Sequence, residues 1–128
     1  MTNPLVAFGR ATFEAVDDAD LEARVRALVA PDFAFRQEGR RVDVEGYLAH
    51  VRRLRSATAG GELTVLDELV DRSVTPVRVA ARVFVRMPML DGSVTEGEAL
   101  MIGRLEGERL AAVTESGRVL GVGDDRPV

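Results

Sequence analysis

Apolar and charged residues alternate with a strict period of two from Val77 to Met87. Val77, Val79, Ala81, Val83, Val85 and Met87 occupy one side, and Arg78, Ala80, Arg82, Phe84 and Arg86 the other. That pattern predicts a half-buried β-strand. Asp91-Gly92 then signals a tight turn, a second run covers Val94 to Leu105, Glu106-Gly107 turns again, and Leu110 to Ser116 forms the third run. At ~3.3 Å per residue the first strand alone spans about 35 Å, so the ribbon has to bend around something.

The N-terminal half has helical spacing instead. Leu5, Phe8, Thr12, Phe13 and Val16 predict an amphipathic helix over about 4–17. Asp17-Asp18-Ala19-Asp20 interrupts it and offers an N-cap to a second helix, whose stripe is Leu21, Val25, Leu28 and Val29 and whose end is Pro31. Phe33-Ala34-Phe35 predicts a short strand, followed by the polar segment Arg36 to Arg41. A third helix, roughly Asp43 to Ala57, places Tyr47, Leu48, Val51 and Leu54 inward, with His50 at the border of that face. Glu62 to Val70 is a further strand, in which a bulge would decide where Asp67 and Glu68 point. Three helices ahead of a mostly antiparallel sheet predict the α+β class, a curved sheet wrapped around the N-terminal helices. The expected domain is 1–116, with a flexible tail at 117–128.

Composition narrows the partners. The 128 residues carry a net charge of −4, which disfavours general nucleic-acid binding. No apolar run approaches the ~20 residues of a membrane span, and no basic-then-apolar leader is visible, so a cytoplasmic protein is expected. All 17 basic residues are arginine, which excludes lysine Schiff-base chemistry. With one histidine and no cysteine, neither a structural metal nor a cofactor is expected.

The broken helix pair at Asp17–Asp20, the segment Leu28-Val29-Ala30-Pro31-Asp32-Phe33, the helix end Leu54-Arg55-Ser56-Ala57, the strand Val79-Ala80-Ala81-Arg82 and the turn Arg104-Leu105-Glu106-Gly107 resemble the nuclear transport factor 2-like (NTF2-like) superfamily, within it the SnoaL-like branch. The resemblance spans about residues 5–116. It implies a cone-shaped, curved, mostly antiparallel sheet lidded by helices, an α+β roll enclosing an apolar pocket. It further implies a cyclase or isomerase working by acid/base catalysis on a polyketide-like or otherwise apolar oxygenated molecule, with ring closure by epoxide opening as one form. The other implied function is a non-catalytic binding or dimerisation domain.

Carried over position by position, the ketosteroid isomerase roles fall on Gln37 (with Glu38 beside it), on Met101 and on Thr12 or Phe13, none of which can perform them. The acid of the SnoaL-type cyclases falls on Glu115, and their strand histidine near Leu100. Glu115, His50 and Tyr47 are therefore the candidate catalytic residues, with Phe13, Phe33, Val83, Val85 and Met101 expected to hold the substrate. Each has a second reading. A carboxylate among apolar neighbours suits proton transfer near neutrality, but a strand-end glutamate can also reach solvent or an arginine. A histidine exchanges protons near neutral pH, but His50 can equally sit on the helix surface beside Arg52 and Arg53. An inner-face tyrosine such as Tyr47 is commonly core with a satisfied hydroxyl. The stripe Arg78, Arg82, Arg86 with Phe84 predicts a homodimer through the outer sheet face, or alternatively an anion site. Glu96 and Glu98 are its expected cross-strand partners.

Overall fold

The computed structural model of the chain describes residues 3–124 and 126. The elements run α1 (Pro4–Glu14), α2 (Asp18–Leu28), β1 (Val29–Gln37), β2 (Arg40–Val42), α3 (Val44–Arg55), β3 (Glu62–Asp71), β4 (Arg78–Pro88), β5 (Val94–Glu106) and β6 (Arg109–Val119). The six strands form one mixed, curled and unclosed sheet in the order β2-β1-β6-β5-β4-β3. β1 and β6 run parallel and every other neighbouring pair antiparallel. The α+β class and the wrapped, mostly antiparallel sheet are as expected.

Caps set the helix starts. Asn3 accepts the N–H of Leu5 at 3.0 Å, with Pro4 in the first turn, and its amide donates to the carbonyl of Ala80 at 3.2 Å, tying α1 to β4. Asp17 and Asp43 cap α2 and α3 by accepting from Asp20 and Gly46. α1 stops at Glu14 rather than near residue 17, because Arg55 takes the last carbonyls: its guanidinium donates to Thr12 at 3.1 Å and to Ala15. Val16 consequently lies outside the helix, exposed.

Three further features have local causes. β1 is nine residues long and begins immediately after α2, with Pro31 inside it. The register against β6 is irregular between Val29 and Ala34, and a proline without an N–H is tolerated there. The polar segment Arg36 to Arg41 is the heart of a hairpin, because Glu38 (φ 51°) and Gly39 (φ 77°) both take positive φ, the requirement of a two-residue primed turn. In β3 a register shift between Val65 and Asp67 exposes both Asp67 and Glu68 and exchanges the faces of the residues beyond it. Leu69 points outward and Val70 packs against the core.

The last strand does not stop at Ser116. It pairs with β5 as far as Val119, opposite Gly97, and Leu120 is buried with its N–H donating to Glu96 at 2.8 Å. Of the tail expected at 117–128, Asp125, Pro127 and Val128 lie outside the described residues.

α1 lies against the concave face and approaches it closely. A Cβ on Gly9 would stand 2.9 Å from the Leu63 side chain. The core beneath it holds Leu5, Phe8, Leu21, Leu48, Val79, Val83, Leu110 and Val113. Phe8 is the hub, its ring 5.6 Å from Phe33, 6.4 Å from Phe35 and 4.8 Å from Tyr47. Phe8→Ala is expected to cost about 3–5 kcal/mol, read as a lower urea midpoint with an unchanged slope.

Candidate functional site

The interior of the cone is filled at one end and hollow at the other. Phe8, Phe33, Phe35 and Tyr47 pack the filled end, with Phe35 and Tyr47 4.6 Å apart. Toward the mouth the inward positions of β5 and β6 become small: Gly97 and Ala99 face Val119 and Gly117 across the ladder. A cleft of about 440 Å³ opens there between the sheet, α3 and the C-terminal end of α1. Phe13, Gln37, His50, Leu54, Val85 and Glu115 are among its walls.

Glu115 stands opposite Met101 on β5 and beside Gln37 on β1, on the concave face. The Gln37 amide donates to Oε1 of Glu115 at 2.8 Å. Burial pushes the carboxyl pKa up, and the hydrogen bond from Gln37 partly opposes it. No ion pair engages this carboxylate among the described residues, so a neutral amide is the partner it has. An amide suits either protonation state: its NH2 donates to a carboxylate and its carbonyl accepts from a carboxylic acid.

The other expected site residues divide. Phe13 and Val85 line the cleft with Glu115. Phe33, Val83 and Met101 do not; they are buried in the packed core, because α1 and its aromatic neighbours occupy the space where a ligand was expected to lie. His50 is exposed on α3 at the rim, lining both this cleft and a smaller groove beside it. Tyr47 is buried and lines only the groove. Thr12 donates its hydroxyl to the carbonyl of Phe8 at 3.0 Å, so in the 2.5 Å contact between Thr12 and Tyr47 the tyrosine is the donor. The phenol pKa is raised far above its ordinary value by burial; the Thr12 bond lowers it, and the nearby charge of Glu115 adds to the rise.

Gln37 and the small residues were the missed parts of the site. Carrying the Phe33-Phe35 alternation one step further turns Gln37 inward, and Gly97-Ala99 with Gly117 marks where the wall thins. A larger cleft of about 580 Å³ lies elsewhere, between the C-terminal ends of α1 and α3. Its two arginines are occupied, Arg55 by the carbonyls of Thr12 and Ala15 and Arg52 by Glu22 at 2.8 Å. Among the described residues no group of three or more His, Asp or Glu side chains is placed to hold a metal, and no helix is long and apolar enough to cross a membrane.

Fold and cleft together define a helix-lidded α+β cone with the half-buried acid Glu115 near its mouth. No protein-family model matches the chain, and no curated protein matches it in sequence. Solved structures do. An NTF2-like protein of unknown function from Exiguobacterium sp. 255-15 superposes with a TM-score of 0.72 at 15% identity, covering 90% of this chain and 98% of that one. A loop-truncation variant of IdmH gives 0.67 at 22% identity, over 89% of this chain and 91% of that one. A hypothetical protein with a ketosteroid isomerase-like fold from Catenulispora acidiphila DSM 44928, in complex with trimethylamine, gives 0.66 at 13% identity, over 88% of this chain and 82% of that one. The chain has the NTF2-like fold.

The raised pKa of Glu115 has a consequence for stability. A carboxyl whose pKa is higher folded than unfolded favours folding while protonated, and that contribution is lost as pH rises through the folded value. Glu115→Gln should therefore be more stable than the parent at pH 7–8. The two should converge below the pKa of an unfolded glutamate, about 4.3. Thermal melts across that range check it.

Proposed function

We propose that the chain is a small-molecule enzyme of the SnoaL-like type, a cyclase or isomerase in which Glu115 moves a proton. The observation that carries this reading is Glu115 itself: a carboxylate held half-buried at the wall of a cleft, with an amide and no cation as partner. An arginine there would hold the group ionised and inert; burial against an amide tunes it toward neutrality, where a carboxylate both takes and returns protons. In the reaction, the Glu115 carboxylate removes a proton from carbon beside a substrate carbonyl, and the carboxylic acid so formed delivers it to the new position. His50, at the rim, donates a hydrogen bond to the substrate oxygen that gains charge. The substrate is apolar and oxygenated, of polyketide-like character, its body against Phe13, Leu54 and Val85.

The test is proton exchange. In deuterium oxide, apolar cyclic ketones and enones should gain deuterium with the parent protein, and Glu115→Gln should slow this by at least about 100-fold, the lower range for a positioned acid/base. Equal exchange by the variant sinks the mechanism. A non-catalytic binding domain is the second reading, favoured by the engagement of the Tyr47 hydroxyl with Thr12. It predicts a co-purifying small molecule, seen by mass spectrometry, with no exchange at all.

The functional unit in this reading is a homodimer through the convex sheet face. Leu100 and Ile102 on β5 are 48% and 53% exposed there, with Arg82 directly across from Leu100 on β4 and Arg78, Phe84 and Arg86 along the same face of that strand. Arg82 is paired with Glu98 at 3.3 Å, while Glu96 is paired with Arg126 at 2.9 Å. Aromatic residues and arginines around an apolar centre are the usual make-up of an interface. Light scattering should give the mass of two 13.9 kDa chains, and Ile102→Glu should give one.

A further inference from the structure

The groove between the β1–β2 hairpin and α3 opens beside the Glu115 cleft, and Gln37 and His50 line both. It holds about 100 Å³, floored by Phe35, Val42 and Tyr47, and every charged side chain along it is basic. Arg40 lies cross-strand from Gln37 on the edge of the sheet, and its alternation with Val42 directs it to the concave side. His50 and Arg53 are three residues apart on the facing side of α3. Among the described residues none of Arg40, His50 and Arg53 has an ion pair or a side-chain hydrogen bond. Elsewhere arginines are commonly matched to carboxylates, as Arg26 is to Glu45 at 2.5 Å and Arg52 to Glu22.

The neighbouring carboxylates do not neutralise the two arginines. Glu45 is held by Arg26, Asp43 caps α3, and Glu115 accepts from Gln37. Glu38, in the hairpin turn, lines the larger cleft and not the groove. Uncompensated cations crowded on one groove repel one another. A ligand anion removes that repulsion.

We propose that this groove receives the anionic end of the ligand whose apolar body occupies the Glu115 cleft, so that the substrate is an amphipathic acid. This rests on the reading of that cleft as a small-molecule site. A guanidinium fork matches a carboxylate or a phosphate with two parallel hydrogen bonds. The shared chemistry is a compact oxyanion on an apolar chain or ring. The arrangement also fixes one orientation: the anion is attracted to Arg40 and Arg53 and repelled by Glu115, so the uncharged end is the one presented to the acid.

Octanoate, octyl phosphate and neutral 1-octanol are titrated by calorimetry and by the ring resonances of His50. They are added to the parent and to the double variant Arg40→Ala/Arg53→Ala, both exposed positions. The parent should bind at least one of the anions about tenfold or more tighter than octanol, and the His50 ring, which lines both groove and cleft, reports occupancy by each ligand. The double variant should lose that preference and keep its affinity for octanol. Preference for octyl phosphate over octanoate assigns a phosphate; the reverse assigns a carboxylate. Equal affinities of the parent for all three ligands, or an anion preference that survives in the double variant, would overturn the proposal while leaving the cleft a small-molecule site. Failure of all three ligands to bind overturns that reading as well.

Discussion

The parallel pairing of β1 with β6 is the contact on which the rest depends. It joins a strand that emerges directly from α2 to the last strand of the ribbon, some 80 residues later in the chain. Once made, it draws the curled sheet around α1 and sets Gln37 against Glu115. The irregular register between Val29 and Ala34 lets β1 bend there, and Pro31 lies in the stretch where no regular ladder is required. Both the acid and its partner are thus products of a single strand junction.

The same closure makes the cone half full. α1 approaches the sheet closely enough at Gly9 that its aromatic residue Phe8 reaches Phe33, Phe35 and Tyr47. Those rings fill the deep end, where a ligand would have to displace well-packed core. At the mouth, Gly97, Ala99 and Gly117 leave the wall thin, and space remains. A filled end gives the domain its stability, and the hollow end is where that stability is given up. Glu115 sits at the boundary, desolvated enough to raise its pKa yet open to a cleft.

Charge is matched over only part of the surface. Arg26, Arg52 and Arg82 are tied into pairs with carboxylates across helices and strands, and Arg55 holds a helix end. Exposed pairs of this kind contribute little each. Around the mouth two pairs remain, Arg82 with Glu98 and Arg118 with Asp124. One acid faces an amide, and Arg40, His50 and Arg53 face no acid, although the chain as a whole is acidic. An acid held by an amide, beside a groove whose arginines are unpaired, is what this region offers a ligand.

Much of this was legible without coordinates. The period of two from Val77 to Met87, the turns at Asp91-Gly92 and Glu106-Gly107, and the capping segment Asp17-Asp18-Ala19-Asp20 are local properties, decided by residues within a few positions of one another. They determined the α+β class, the three helices and the inward face of the ribbon, and they turned Glu115 the right way. Local pattern could not say that Arg55 ends α1, that Glu38 accepts positive φ to make a hairpin, or that a bulge after Val65 turns Leu69 out. Nor could it separate apolar residues that line a cleft, Phe13 and Val85, from those that fill the core, Phe33, Val83 and Met101. Alternation fixes the face on which a side chain lies. Whether that face meets a helix, a ligand or water depends on how far α1 reaches across the sheet and on a pairing made between the two ends of the chain, and those only the tertiary structure decided.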